Sequence, residues 1–124
     1  MKARNLAESF KYAWIGLGQA LANERNLRIH AAAAIGAVLL AAGLRVPAAE
    51  VALVAVASAM VIVAELVNTA IEGCVDLAMP GYSPLAARVK NIAAAAVLVT
   101  SIAAVVVGIV VFGPHLLSLI PVRK

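Results

Sequence analysis

Apolar residues form long runs along this chain, and short polar or proline-containing breaks separate the runs. After an N-terminal stretch of mixed character, the runs predict three helices, over about 28–45, 50–79 and 84–113. A helix rises ~1.5 Å per residue, so each is long enough, or nearly so, for the ~30 Å hydrocarbon core of a bilayer. The first run is the shortest, and Arg28 and Arg45 at its ends can snorkel to the two surfaces. The pattern therefore predicts three transmembrane helices.

A helical pattern also precedes the first span, over about residues 5–24. Its apolar positions recur at helical spacing: Leu6, Phe10, Ala13, Trp14, Leu17 and Leu21. Polar residues such as Glu8 and Lys11 occupy other faces, which is typical of an amphipathic helix. Tyr12 and Trp14 near the middle of this helix favour a position in the membrane interface.

Proline, glycine and serine mark the ends of the predicted spans. Val46-Pro47 indicates the first turn, and Pro80-Gly81 breaks the second helix. Ser83 followed by Pro84 fits the start of the third helix, because serine is a favoured N-cap and proline suits the first turn. We expect Gly113-Pro114 to end the third helix and the apolar tail beyond it to form a short extension on the far side.

The composition supports a membrane protein. The 124 residues are 65% hydrophobic and 13% charged, which gives more apolar surface than a soluble domain of this size can bury. A single domain, 1–124, accounts for the length. Cys74 is the sole cysteine, so the sequence holds neither an intrachain disulfide nor a multi-cysteine metal site.

The net charge of +4 comes from basic residues that flank the apolar runs. No basic stripe with interleaved aromatic residues is present, so nucleic acid is not an expected partner. The cytoplasmic side is expected to carry the larger share of Lys and Arg: Lys2, Arg4, Lys11, Arg25, Arg28, Arg88 and Lys90, against Arg45, Arg123 and Lys124. By the positive-inside rule, the N-terminus and the second loop lie in the cytoplasm.

Polar residues enter the second helix while its helical pattern continues. Glu65, Asn68, Glu72 and Asp76 fall within ~80° of one another at ~100° per residue and span ~16 Å of helix. A carboxylate inside a membrane helix costs about 2.5–3.5 kcal/mol on insertion scales, so this one-sided arrangement needs a reason. Further polar groups lie where the other spans begin: Asn23, Glu24, Asn26 and Arg28, and then Arg88, Lys90 and Asn91.

Carboxylates, an amide and basic groups at one membrane face suit a divalent cation and a phosphate chain. Magnesium prefers oxygen ligands and takes one or two carboxylates plus phosphate oxygens and water. Lys90 can offset negative charge on the phosphates. Glu65 is the deepest carboxylate and the nearest to a lipid hydroxyl that needs a base. No Walker A sequence is present, so an ATP site would differ from a P-loop.

The same residues are also compatible with two non-enzymatic hypotheses. The carboxylates can form structural ion pairs with Arg28 or Lys90, in an assembly protein held by small-residue packing. They can also form the relay of a small cation or proton conductor. The conductor predicts flux without ATP, and the assembly protein predicts that Glu65→Gln changes little beyond stability. His30 is expected to be a hydrogen-bonded interfacial residue.

Two segments resemble the prokaryotic diacylglycerol kinase and undecaprenol kinase family. They are Glu65-Leu-Val-Asn68-Thr-Ala-Ile-Glu72 and Ala87-Arg-Val-Lys90-Asn91. The resemblance extends over nearly the whole chain, and the pattern E-x-x-N-[TS]-A-I-E is its highly specific element.

The resemblance implies an all-α integral membrane protein with an N-terminal interfacial amphipathic helix and three transmembrane helices. Three chains would form a homotrimeric bundle whose active sites are shared between neighbouring subunits, in the bacterial plasma membrane, with the active site cytoplasmic. The implied activity is that of an ATP- and Mg²⁺-dependent lipid kinase, which transfers the γ-phosphate of ATP to a lipid hydroxyl.

Matching positions carry the roles that the resemblance implies. Glu65 corresponds to the catalytic base, and Glu24 and Glu72 to the magnesium ligands. Trp14 and Glu65 correspond to contacts with the lipid substrate. The implied nucleotide-binding residues are Tyr12, Glu24, Asn68, Glu72, Asp76, Gly81, Tyr82, Ser83, Lys90 and Asn91.

One position departs from the family, because Asn91 stands where its members usually have aspartate. The amide keeps the size and one carbonyl acceptor but loses the charge, so we expect weakened or altered activity. The segment 26–30 looks more like the Gram-positive branch, whose members favour undecaprenol. Undecaprenol is therefore the expected substrate, and diacylglycerol is the alternative.

Overall fold

The computed structural model describes residues 5–119, and this part of the chain is helical with no strand. The four helices are α1 (Leu6–Asn23), α2 (Arg25–Gly43), α3 (Ala48–Ala78) and α4 (Pro84–Leu117). Residues 1–4 and 120–124 lie outside the described residues, so the predictions made for the N-terminus and for the end of the tail stay predictions.

The helices α2, α3 and α4 are long and apolar enough to cross a membrane. α3 and α4 contain 31 and 34 residues, and at ~1.5 Å per residue they measure roughly 46 and 51 Å. Both are longer than the ~30 Å apolar core. A part of each helix therefore extends beyond the hydrocarbon, and the polar residues of α3 lie toward its C-terminal end.

α3 is the central helix of the chain, because α2 and α4 both pack along it and α1 contacts both α2 and α3. A small apolar cluster forms where the three spans meet at the end away from α1, with Ala41, Val46, Val54 and Val111 buried. Large apolar side chains such as Leu98, Ile102 and Val106 are more than half exposed. Such surfaces suit lipid or other membrane helices.

A single residue, Glu24, separates α1 from α2. Its backbone is extended, with φ −96° and ψ 113°, so it both ends α1 and begins α2. At the other end of α1, the Asn5 side chain accepts a hydrogen bond of 2.9 Å from the Glu8 N–H and caps the helix.

The turn between α2 and α3 lies where Val46-Pro47 predicts it. The N–H of Val46 donates to the carbonyl of Ala41 at 3.0 Å, and the N–H of Arg45 donates to that of Ala42 at 3.2 Å. These two bonds form a Schellman motif. Arg45 has φ 54° and is the residue in the left-handed conformation that this motif requires.

The turn between α3 and α4 confirms the predicted cap. The Ser83 hydroxyl accepts a hydrogen bond of 3.3 Å from the Ala86 N–H, and Pro84 is the first residue of α4. Proline lacks the N–H that would have no helical partner in this first turn, so it fits here without loss.

The predicted end of the third helix at Gly113-Pro114 is wrong, because α4 continues through both residues to Leu117. Pro114 removes one backbone hydrogen bond, but the last turn is otherwise satisfied. His115 Nδ1 donates to the Val111 carbonyl at 2.9 Å, and the Ser118 N–H donates to the Pro114 carbonyl at 3.1 Å.

Candidate active site

The polar stripe of α3 runs from a buried end to an exposed end. Glu65 is only 4% exposed and Asn68 9% exposed. Glu72 is partly buried, and the side chain of Asp76 is 65% exposed. The stripe therefore leads from the interior of the helical packing to the surface at the end of α3.

Asn68 connects the buried part of the stripe to Glu72. Its amide Nδ2 donates to Glu72 Oε1 at 2.9 Å, one helical turn away. The bond restricts the orientation of the Glu72 carboxylate and leaves its second oxygen without a hydrogen bond among residues 5–119. The Asn68 Oδ1 atom is buried and has no partner in the described part of the chain. A buried amide oxygen of this kind needs a donor from outside it.

Lys90 on α4 pairs with Asp76 on α3. The ammonium Nζ lies 2.5 Å from Asp76 Oδ1, and the Lys90 side chain is 34% exposed. The structure thus brings together two of the residues expected at a nucleotide site. It also shows the ion pair with Lys90 that the assembly hypothesis anticipated.

Glu24 lies at the junction of α1 and α2 and lines a groove of about 470 Å³ between α1 and α3. Across this groove are Thr69, Leu66 and Ala70 of α3, and Thr69 lies one turn from Glu65. No cation pairs with the Glu24 carboxylate among residues 5–119. Glu24 therefore lies at a groove whose other wall is the face of α3 next to the polar stripe.

Arg28 does not pair with the carboxylates of the stripe. Its Nη1 atom donates to the carbonyls of Leu21 and Ala22, at 3.2 and 2.8 Å. The predicted ion pair between Arg28 and a carboxylate is thus absent from the described structure, because the guanidinium is engaged by the C-terminal carbonyls of α1.

The remaining predicted site residues are more exposed. Gly81 and Tyr82 lie in the α3–α4 turn, where Tyr82 is 92% exposed, and Asn91 is exposed on α4. Trp14 and Tyr12 lie on α1 and are 70% and 38% exposed. The structure does not assemble this set around one point within the chain.

Ser83 is an expected nucleotide-binding residue, but its hydroxyl also caps α4. A contact between this residue and a nucleotide would have to use the remaining capacity of the hydroxyl or its backbone.

Two features of the site were not predicted from the sequence. Thr69 joins the groove beside Glu24, and its position four residues after Glu65 is the signal for it. The bonds from Arg28 to α1 depend on the helix break at Glu24. The sequence signal for this break is the polar run Asn23-Glu24-Arg25-Asn26.

No group of three or more His, Cys, Asp or Glu side chains converges within residues 5–119 to form a metal site. Glu24 and Glu72 are the expected magnesium ligands. One chain would therefore contribute at most these two carboxylates to a magnesium site from its described residues.

Comparison with known proteins decides the family. Residues 11–112 match the model of the prokaryotic diacylglycerol kinase family. The chain belongs to this family. The matched segment begins within α1 and ends within α4, and it contains every one of the site residues discussed above.

Curated relatives cover most of the chain. It is 45% identical over 118 residues to a diacylglycerol kinase of Synechocystis sp., a match covering 94% of this chain and 67% of the relative. It is 33% identical over 109 residues to an undecaprenol kinase of Bacillus subtilis, covering 88% and 89%. It is 35% identical over 104 residues to the diacylglycerol kinase of Escherichia coli, covering 84% and 85%.

These matches confirm the family resemblance, and with the four helices they confirm an all-α membrane protein. The relatives are all named kinases, so this chain is related to lipid kinases. Both lipid substrates occur among their names.

Proposed function

We propose that this protein is a lipid kinase that transfers the γ-phosphate of ATP to the hydroxyl of a membrane lipid. The observation that carries the proposal is the buried carboxylate of Glu65 at the inner end of the polar stripe, whose outer end, Asp76, pairs with Lys90. A base at the depth of a lipid hydroxyl and a cation near the surface, where phosphates arrive, are what this reaction needs.

The proposed reaction is a direct in-line displacement. The lipid oxygen attacks the γ-phosphorus, a new oxygen–phosphorus bond forms, and the bond to the bridging oxygen of ADP breaks. Glu65 accepts the proton of the lipid hydroxyl. No covalent intermediate with the enzyme is needed, because positioning and charge neutralisation supply most of the catalysis.

ATP would bind near the outer end of the stripe. Lys90 would leave or share its contact with Asp76 to face the phosphates, and the Asn68 amide would orient Glu72. The remaining nucleotide contacts are proposed for Tyr12, Asp76, Gly81, Tyr82, Ser83 and Asn91. The unpartnered Asn68 Oδ1 provides an acceptor for a donor from the nucleotide or from a neighbouring chain.

The chemistry of Glu24 and Glu72 suits a magnesium ion, and we propose these two carboxylates as its ligands. Glu72 is held by Asn68 with one carboxylate oxygen unengaged, and Glu24 has no cationic partner among the described residues. Two carboxylates plus phosphate oxygens and water are a usual donor set for this ion. When bound by Glu24 and Glu72, magnesium would neutralise charge on the transferring phosphate.

The assembly is proposed to be a homotrimer with sites shared between subunits. Supporting this are the exposed apolar faces of the spans and the small residues Ala59, Ala64, Ala93 and Ala96 along a groove between α3 and α4. Small residues allow close approach of another membrane helix. We place the N-terminus and the active site in the cytoplasm on the distribution of Lys and Arg. We place the protein in the bacterial plasma membrane on the strength of its family.

The substrate proposed is diacylglycerol, with undecaprenol as the second candidate. The 45% identity to a diacylglycerol kinase exceeds the 33% identity to an undecaprenol kinase. This difference favours diacylglycerol over the undecaprenol expected from segment 26–30. The direct test offers each lipid separately, in detergent with magnesium and labelled ATP, and label in one lipid identifies the substrate.

Glu65→Gln is the decisive variant for the mechanism. We expect turnover to fall by at least about 10²-fold, because the amide cannot accept the proton. Glu50→Gln is the matched control, since Glu50 lies near the other end of the same helix, with Oε2 3.9 Å from His115 Nδ1. Full turnover in Glu65→Gln, with assembly unchanged, would remove Glu65 as the base. ATP-independent ion flux through the unmodified protein, without lipid labelling, would support the conductor.

Asn91→Asp tests the position that departs from the family. We expect the aspartate variant to transfer phosphate faster than the unmodified chain, because a carboxylate restores the charge at this position. Equal rates in the same labelled-ATP assay would show that the amide is sufficient here. The exposed side chain makes a folding effect small, so a rate change reports on the site.

A further inference from the structure

The bend between α1 and α2 leaves the last carbonyls of α1 without their helical donors. The final backbone bond of α1 runs from the Glu24 N–H to the Ala20 carbonyl at 2.8 Å. Beyond it the chain turns into α2, so the carbonyls of Leu21 and Ala22 need donors from elsewhere.

Arg28 supplies those donors from the neighbouring helix. Its Nη1 atom contacts both carbonyls, at 3.2 Å to Leu21 and 2.8 Å to Ala22. A cation at the C-terminal end of a helix is also favoured by the helix dipole. Because Arg28 belongs to the first turn of α2, these bonds cross the bend and join the start of α2 to the end of α1.

The same bonds engage the guanidinium that could otherwise pair with the Glu24 carboxylate. Glu24 and Arg28 are four residues apart and carry opposite charges, so the guanidinium is a candidate partner for the carboxylate. Arg28 is bonded to carbonyls instead, and no ion pair of Glu24 occurs between residues 5 and 119. The carboxylate thus stays at the edge of the groove shared with Thr69.

We propose that Arg28 is a positioning residue of the kinase: it holds the α1–α2 bend and so keeps the Glu24 carboxylate at the groove, available to a divalent cation. The inference rests on the proposed function for the part that concerns the cation. The bend itself is a property of the chain, and it can be measured whether or not the protein is active.

The first experiment measures the bend directly. Spin labels are attached through Gly18→Cys in α1 and Gly36→Cys in α2, in a Cys74→Ser background, with excess unlabelled chain to isolate distances within one chain. No atom outside the local helix backbone lies within 4 Å of the position that a Cβ would take at either glycine, so labels fit. We expect Arg28→Ala to broaden the distance distribution, Arg28→Lys to broaden it less, and Arg25→Ala to leave it unchanged.

Arg25→Ala is the matched control because it removes the same charge one residue after the bend. The Arg25 side chain makes no hydrogen bond among the described residues. A distribution as narrow in Arg28→Ala as in the unmodified chain overturns the proposal, whatever the enzyme activity. A distribution broadened equally by Arg25→Ala also overturns it, because charge alone would then be the cause.

The second experiment measures the magnesium dependence of phosphate transfer. We expect Arg28→Ala to raise the apparent KM for Mg²⁺ roughly tenfold, the loss typical of groups that orient metal ligands, while kcat at saturating Mg²⁺ stays nearly unchanged. Arg28→Lys should recover part of this loss, because an ammonium can donate to one of the two carbonyls. A raised KM for ATP with an unchanged KM for Mg²⁺ would make Arg28 a phosphate contact and overturn the positioning role.

The two experiments also separate this inference from the proposed function. If the unmodified chain labels neither lipid, the proposed function fails, and the spin-label distances still decide whether Arg28 holds the bend. If the chain is active and Arg28→Ala changes neither the distances nor the magnesium dependence, the inference alone fails.

Discussion

Arg45 occupies a backbone conformation that L-residues adopt at a cost. Its φ of 54° places it at the left-handed position of the Schellman motif after α2. The side chain carbon lies close to the following carbonyl in this conformation, which costs roughly 1–2 kcal/mol. Glycine avoids the penalty, and part of the gain is lost to the greater freedom of glycine in the unfolded chain.

We therefore expect Arg45→Gly to stabilise the protein by about 0.5–1 kcal/mol relative to Arg45→Ala. The alanine variant is the matched control, because it also removes the guanidinium but keeps the strained carbon. The measurement is the free energy of unfolding in mixed micelles with increasing SDS. Equal stability of the two variants would show that the turn relaxes and that φ carries no penalty here.

At the level of single residues, the sequence predicts groups defined by local spacing and misses contacts made across a bend. Ser83 was predictable as a cap because serine and the following proline are adjacent in the chain. The stripe from Glu65 to Asp76 was predictable because helical periodicity alone puts these residues on one face. The bonds of Arg28 and the unpartnered Asn68 oxygen were not, since both depend on where a second helix lies.

Between elements, the contact of Asp76 with Lys90 links α3 to α4 beside the site. The pair is partly exposed, so it should contribute no more than about 1 kcal/mol to stability. Under the proposed function, the pair holds Lys90 near the outer end of the stripe, where the phosphates of ATP would bind. Exchanging the charges of Asp76 and Lys90 separates the contribution of this pair to stability from its contribution to phosphate transfer.

We expect Asp76→Lys combined with Lys90→Asp to restore most of the stability that either single change removes, without restoring phosphate transfer. The exchanged pair can still attract, but a carboxylate then lies on α4 at the position where the proposed function needs a cation for the phosphates. Thermal unfolding and the labelled-ATP assay measure the two effects. Phosphate transfer by the exchanged variant at the unmodified rate would leave the pair with a structural role only.

The end of α4 shows why element boundaries are harder to predict than elements. Gly113-Pro114 is a strong local signal for a break, yet the helix continues to Leu117. A proline costs one hydrogen bond and some strain, whereas packing of Val111 in the buried cluster and the bond from His115 favour continuation. The packing of Val111 depends on contacts with other helices, and a local sequence signal carries no information on such contacts.

For the whole molecule, the position of α1 determines how the site meets the bilayer. Leu6, Phe10 and Trp14 follow one another at four-residue spacing and are 79%, 67% and 70% exposed. Such a row of exposed apolar side chains on a helix that carries polar residues elsewhere suits the boundary between headgroups and acyl chains. If α1 lies there, the bend at Glu24 holds the proposed cation ligand at the level where a lipid presents its hydroxyl.

Trp14 is the sole tryptophan of the chain, so its fluorescence reports on α1 alone. In vesicles of lipids brominated at different acyl positions, we expect the strongest quenching from bromines nearest the headgroup, because α1 would lie at the interface. Trp14→Phe provides the background signal. Strongest quenching by bromines near the chain ends would place α1 deep in the hydrocarbon, and no quenching by any position would place it in water. Either result would mean that Glu24 does not lie at the same membrane depth as the lipid hydroxyl. Another residue would then have to bind the cation near Glu65.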